Sequence, residues 1–392
     1  MKSKIKFGLL PRIIVAIIVG IGVGYVSPLW GARICATFNN IFGQLLGFLI
    51  PLIILGFVTP AIGDIGRSAG KMLVATALLA YSATLFAGFL SYFTGTTIFP
   101  SLITSEPTVS AIENEASAIT PYFDMAIPAM MPVMTALVLS FMMGLGIAFL
   151  PDGHVLRSGA NEFRTIVAKT INVAIIPLLP FYIFCIFVNM TVDGKVAVIL
   201  STFLKIIIII FILHVFILVL QFCIASIFAR RNPFKMLLTM MPAYFTALGT
   251  QSSAATIPVT LRQAIKMGVS EDVAGFVVPL CATIHMSGST LKIVACALAI
   301  LIMQGEPYDI GLFSQFIAML GVTIIAAPGI PGGAIMASLG LLTSILGFTE
   351  AQNALMIALY IAMDSFGTAC NVTGDGALAA IIDRFFGKEV AK

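Results

Sequence analysis

The sequence predicts an all-α integral membrane protein of eight transmembrane helices and two further broken apolar segments. Three observations carry this. Of 392 residues, 59% are hydrophobic and 10% charged, against roughly 25% charged in ordinary soluble domains. Apolar stretches of about 20 residues or more, enough to cross ~30 Å of hydrocarbon, recur along the chain. Basic residues gather at alternate ends of those stretches. With a mean hydropathy of +1.09, 21 Lys and Arg and 17 Asp and Glu cannot cover the surface of a soluble fold. That excludes a soluble enzyme, a nucleic-acid binder and a disordered scaffold.

The first six spans fall near 8–27, 34–60, 72–99, 128–150, 167–191 and 196–229. Lys2, Lys4, Lys6 and Arg12 before the first apolar run resemble a signal peptide, but no small-residue cleavage site follows, so an uncleaved first span is expected. No Lys or Arg lies between Lys71 and Arg157, while the 101–125 loop carries Glu106, Glu113, Glu115 and Asp124. The basic clusters are Lys2 to Arg12, Arg67 with Lys71, Arg157 to Lys169, and Arg230, Arg231 with Lys235. Positive charge marks the cytoplasmic side, which places both termini inside. The six cysteines sit in apolar segments without CxxC spacing, which fits small helix-packing residues rather than disulfides or zinc.

After Lys235 the texture changes to Ser, Thr, Gly, Ala and Pro. Thr250 to Pro258 interrupts one apolar stretch and Ala326 to Ala334 another. Non-helical backbone at membrane depth survives only when buried in protein or lining a cavity. Two such breaks in one half of the chain suggest re-entrant hairpins related by an inverted repeat; the alternative is two Pro-kinked spans. Spans 7 and 8 carry the polar runs Pro279 to Thr290, followed by Lys292, and Asp364 to Asp375.

Ionisable residues inside a membrane are costly, which makes Lys292, His285, Asp364 and Asp375 functional candidates. Asp364 and Asp375 are eleven residues apart, close to three helical turns, on one face and ~16 Å apart. A carboxylate beside exposed carbonyls suits a dehydrated alkali cation. Half-helix ends at hairpin tips suit a substrate carboxylate.

The serine-rich tip, the stretch Pro279-Leu280-Cys281-Ala282-Thr283-Ile284-His285-Met286-Ser287-Gly288, the tip Gly329-Ile330-Pro331-Gly332-Gly333 and Asn371-Val372-Thr373-Gly374-Asp375 together resemble the dicarboxylate/amino acid:cation symporters, the glutamate transporter family. All four motifs match in order and spacing, and the resemblance covers essentially the whole chain. It implies a secondary symporter, not an enzyme: a homotrimer in the cell inner (plasma) membrane, moving elevator-fashion, with the second hairpin as gate. The implied scaffold is residues 1–71 and 126–192 (spans 1, 2, 4 and 5), with 101–125 an extracellular loop. The implied transport domain is span 3 at 72–100 and residues 193–392. In the latter, hairpin 1 is at about 234–262, span 7 at about 272–303, hairpin 2 at about 311–347 and span 8 at about 351–383.

Carried over by motif, Ser252, Ser253, Ser289, Ile330 and Gly333 belong to the substrate site, with Thr368 and Asn371 as polar contacts. Asp364 matches the residue that takes an amino group. Asp375 matches a sodium ligand, assisted by backbone at Cys281, His285 and Asn371. A second sodium site draws on backbone at Thr283, Met286, Ile324, Ile325 and Ala327. The implied coupling ion is Na+, with protons as an alternative through His285.

Departures from the family pattern bear on cargo. His285-Met286-Ser287-Gly288-Ser289 stands where Asn-Met-Asp-Gly-Thr is common, which removes an aspartate ligand of a third sodium. Gly367 and Gln251 stand where arginine is common, so an acidic substrate loses its bidentate partner. This favours a small neutral amino acid held by Asp364. The competing reading uses Lys292 as the cation for a C4-type dicarboxylate or acidic amino acid, or pairs Lys292 with Asp364. Two membrane aspartates also raise an intramembrane aspartyl protease, but both lie on one span, where a shared-proton dyad cannot form. An anion channel is the other alternative; its filter would repeat one sequence, and the two tips differ.

Overall fold

The computed structural model describes residues 9–67, 71–103, 119–151, 154–194, 196–325 and 332–390. Every regular element among them is a helix. The first three apolar stretches form α1 (Leu9–Val26), α2 (Leu29–Arg67) and α3 (Lys71–Leu102); the next three form α4 (Val133–Phe149), α5 (Val155–Thr170) with α6 (Ile176–Val192), and α7 (Val196–Ala229). A π-helical turn, Ile171–Ile175, joins α5 to α6. Pro177 and Pro180 follow it without amide hydrogens, and the widened turn absorbs the lost bonds. Glu106, Glu113 and Glu115 of the acidic loop lie outside the described residues. The loop's far end is tied to α2: Arg33 Nε donates to the Thr120 carbonyl at 3.0 Å, with its guanidinium 4.4 Å from the Tyr122 ring centroid.

The second half begins with α8 (Pro233–Thr250) and α9 (Ser253–Met267). Asn232 caps α8 through Phe234 and Lys235 N–H, and Pro233 takes the first helical position, where no amide hydrogen is needed. Gln251, at φ 54, ends α8 in the left-handed region, and Ser252 then caps α9. The chain reverses here: α8 and α9 pack together, and Arg231, ahead of α8, donates to the Met267 carbonyl at the end of α9 at 2.6 Å. A kinked span would hold those ends a membrane apart, so this break is a hairpin.

Next come α10 (Glu271–Ile284) and α11 (Ser287–Gln304), then α12 (Ile310–Ile325) and α13 (Gly333–Leu346). The second tip, 326–331, lies outside the described residues, yet α12 packs on α13. Gln304 before the pair touches Gln352 after it, so this segment also doubles back. The chain ends with α14 (Glu350–Ala362) and α15 (Asp364–Val390), bent by 61° at Met363.

By length and composition, five described helices or helix runs can cross a membrane, and the bent α14–α15 pair makes a sixth. The expected spans 1 and 4 appear as α1 and α4, 18 and 17 residues long, slightly under the ~20 needed for a perpendicular crossing.

Two sets of contacts organise the packing. Helix α1 lies on α6, and α2 runs against α4, α5 and α6. Helix α11 is the axis of the second set, touching α3, α7, α12, α14 and α15. Its residues are buried on all sides from Ser287 to Leu301. Small residues of α3 permit close approach: a Cβ on Gly88 would meet Ile317 at 2.7 Å, and one on Gly95 would meet Leu298 at 2.5 Å. Apolar helices in lipid gain contact in this way, through small residues rather than hydrophobic burial.

Helix α11 approaches α15 closely at Gly288, where an added Cβ would lie 2.6 Å from Cys370 Cβ and 2.7 Å from the Gly367 carbonyl. Backbone cannot yield cheaply. Gly288→Ala should therefore cost about 1–3 kcal/mol, read as a lower unfolding midpoint of the purified protein; a midpoint equal to wild type would mean α11 and α15 are not packed this closely.

Candidate functional site

Three interruptions of helix converge on one region. They are the Gln251–Ser252 turn of the first hairpin, the His285–Met286 gap between α10 and α11, and the Met363 bend between α14 and α15. At the first, Gln251 Nε2 donates to Ser365 Oγ at 3.0 Å. At the last, Asp364 Oδ2 accepts from the Gly332 N–H of the second hairpin at 2.7 Å. Both hairpins thus reach adjacent residues at the start of α15.

Lys292 closes this region from α11. It is fully buried, and its Nζ lies 3.0 Å from Asp364 Oδ1, 3.4 Å from the Met363 carbonyl and 3.5 Å from the Tyr360 ring centroid. An ammonium out of water needs such partners: a carboxylate, a carbonyl freed by a bent helix, and an aromatic face. Gly367 provides the space, since a Cβ there would come within 2.8 Å of Nζ and 2.9 Å of Cε. Asp364, the candidate for a substrate ammonium, is instead fully engaged, with one oxygen on Lys292 and the other on Gly332.

Two turns further along α15, Asn371 holds the start of α11. Its Oδ1 accepts from Gly288 and Ser289 N–H at 2.7 and 3.3 Å, and its Nδ2 donates to Ser289 Oγ and approaches Met286 Sδ. The side chain is an N-cap supplied from another helix, satisfying donors that α11 cannot satisfy itself. Ser289 Oγ also accepts from Tyr360 at 3.1 Å, and Thr84 of α3 accepts from Met286 N–H at 3.3 Å.

One turn beyond Asn371, Asp375 Oδ1 lies 2.9 Å from His285 Nδ1. Gln221 of α7 meets His285 Nε2 at 3.3 Å and donates to Ser287 Oγ at 3.2 Å. Among the described residues, the carbonyls of Ala282 to His285 receive no backbone N–H at the helix gap. Hard oxygens beside a buried carboxylate form a donor set suited to an alkali cation. No group of three or more His, Cys, Asp or Glu gathers here or elsewhere among the described residues, so any ion here would be held chiefly by carbonyls and one carboxylate.

The remaining sequence candidates fall as follows. Ser252 Oγ caps α9 through Ala255 N–H, and Ser253 is the buried first residue of that helix. Thr368 is buried one turn after Asp364. Ile324 and Ile325 end α12, and Gly333 begins α13. Cys281 is buried in the last turn of α10, where the Thr283 hydroxyl bonds back to the Leu280 carbonyl. Ala327 and Ile330 lie outside the described residues. All six cysteines are free.

Sequence reasoning missed Gly332, Tyr360, Ser365, Thr84 and Gln221. Gln221 had a signal, being a lone amide inside an apolar span. His214 of α7 lies buried with Nε2 donating to the Gly288 carbonyl at 3.0 Å.

Residues 9–385 match the sodium:dicarboxylate symporter family, and the chain belongs to it. Among curated proteins it is similar to excitatory amino acid transporter 2 of Homo sapiens, 34% identical over 154 residues, covering 39% of this chain and 27% of that protein. It is also similar to excitatory amino acid transporters 3 and 4 of Mus musculus, 33% identical over 165 residues and 32% over 162. These cover 42% and 41% of this chain, and 31% and 29% of the two proteins. The matches therefore span less than a third of each relative's length.

Breaking the buried pair from one side should cost more than removing it. Lys292→Met leaves the Asp364 carboxylate uncompensated and should destabilise the protein by about 3–5 kcal/mol. Adding Asp364→Asn to it should restore much of that loss, as read from unfolding of the two purified variants. Equal loss in both would show that the pair contributes little.

Proposed function

We propose that this member of the sodium:dicarboxylate symporter family is a sodium-coupled importer of a C4-type dicarboxylate, with Lys292 as the cation for one substrate carboxylate. The carrying observation is the buried Lys292–Asp364 pair beneath both hairpins. A neutral amino acid would need Asp364 free to receive its ammonium; here Asp364 already has two partners. A dicarboxylate needs no such acceptor. One carboxylate meets the N-terminus of α9, where Ser252 caps Ala255 and leaves the first N–H groups of the helix for an anion. The other displaces Asp364 from part of its hold on Lys292.

Release of the Asp364–Gly332 bond then frees the second hairpin to act as gate. Sodium binds at Asp375 with the carbonyls of the His285 gap, and a second ion at the ends of α10 and α12. Helices α1, α2 and α4 to α6 act as scaffold, while α3 and α7 to α15 move as one elevator body of a homotrimer. With both hairpins re-entrant and α1 and α4 counted, eight spans cross the plasma membrane and both termini are cytoplasmic. Glu350, at the outer base of the second hairpin, bonds Gln44 at 3.0 Å. Leu29 to Gln44 is ~22 Å along α2, so this contact corresponds to a lowered, inward-facing body.

Thermal shift of the purified protein tests substrate and ion together, since a ligand near a hundredfold its Kd stabilises by ~2.7 kcal/mol. C4 dicarboxylates should stabilise in sodium and not in potassium, and neutral amino acids should not. Asp375→Asn should remove the sodium dependence, and Lys292→Gln the dicarboxylate response. Selective stabilisation by small neutral amino acids would return the substrate assignment to Asp364.

A further inference from the structure

We infer that His285 sets the cation affinity of the Asp375 site: its imidazole is the carboxylate's resting partner, and a coupling ion binds by displacing it. This rests on the proposed role of Asp375 as ion ligand. The ring stands where a cation would sit, with Nδ1 2.9 Å from Asp375 Oδ1. It brings nitrogen where a hard ion requires oxygen. With Gln221 Nε2 donating to Nε2, Nδ1 carries the hydrogen and donates to the carboxylate.

The position is built rather than incidental. Gly374 supplies the seat, because a Cβ there would lie 2.7 Å from His285 Cε1 and 2.5 Å from Gln221 Oε1. Only glycine lets the ring and the amide lie against α15 at this point. The Gln221 clamp is itself incomplete. Its Oε1 is buried without a partner, as is the hydroxyl of Thr373 two residues before Asp375. The present arrangement leaves both oxygens unused, and buried acceptors without partners are costly.

Room for displacement lies on the far side of Gln221, in a cavity of about 200 Å³ lined by Leu79, Ser82, Ile217 and Leu378. If the amide turns toward that space, the ring follows it off Asp375. The freed carboxylate and the carbonyls of the helix gap can then face one ion. His285 is thus a positioning residue acting through Asp375, and the ion competes with an internal group for its own ligand.

The test is sodium titration of the purified protein without substrate, read by thermal shift, alongside the sodium dependence of uptake in proteoliposomes. Wild type, His285→Asn, His285→Ala and Asp375→Asn are compared. The internal bond is one hydrogen bond to a charged group, worth ~1.5 kcal/mol or more, so half-saturating sodium should fall about tenfold or more in both His285 variants. The fall should appear in the binding titration as well as in uptake. Unchanged or higher half-saturating sodium in both variants, with Asp375→Asn unresponsive, would overturn this inference alone. A normal sodium response in Asp375→Asn would overturn the ion assignment and the inference with it.

Discussion

A lysine ammonium placed in a dry interior costs several kcal/mol unless it is fully partnered, and Lys292 lies in the second turn of α11, a helix buried on all sides from Ser287 to Leu301. Much of the second half of the chain is arranged around that requirement. The α14–α15 bend turns the Met363 carbonyl toward Nζ. Asp364 opens α15 with a carboxylate on the same atom, and Tyr360 offers its ring face. Gly367 withholds a side chain so that the ammonium has room. Because the second oxygen of Asp364 binds Gly332, the charge pair also ties down the second hairpin. One electrostatic constraint therefore links the core helix, the bend and the second hairpin.

Helix α15 extends this logic along its length. Asp364, Asn371 and Asp375 are spaced by seven and four residues, two turns and one, and face the α10–α11 span as a single stripe. Each satisfies a different defect in that span: a buried cation, the uncapped start of α11, and the imidazole at the helix gap. The Lys292–Asp364 and His285–Asp375 pairs thus share the same two packed helices.

Two departures from the family pattern are answered by side chains from neighbouring helices, one charged and one neutral. Where arginine is common on the last span, glycine stands at 367 and a cation arrives from α11 instead. Where an aspartate is common after Met286, Ser287 stands and is bonded by Gln221 of α7. In both places a polar side chain from a neighbouring helix lies at the position, Lys292 beside Gly367 and Gln221 on Ser287. Residue-by-residue comparison within one motif cannot detect such an exchange.

The sequence by itself determined the all-helical membrane class, the order of the apolar segments, and the existence of both interruptions. These follow from hydrophobic length and from proline, glycine and basic placement, which are local properties. It also identified Lys292, Asp364, His285 and Asp375, because ionisable groups stand out against an apolar background. What it left open was which of these pair. Lys292 and Asp364 are 72 positions apart, His285 and Asp375 are 90, and Gln221 is 64 from His285. Whether Asp364 was free for a substrate or already neutralised, and whether each broken segment kinked or doubled back, depended on contacts between distant helices. Only the tertiary structure decided those, because desolvation forces every buried charge to find a partner and packing alone determines which partner lies within reach.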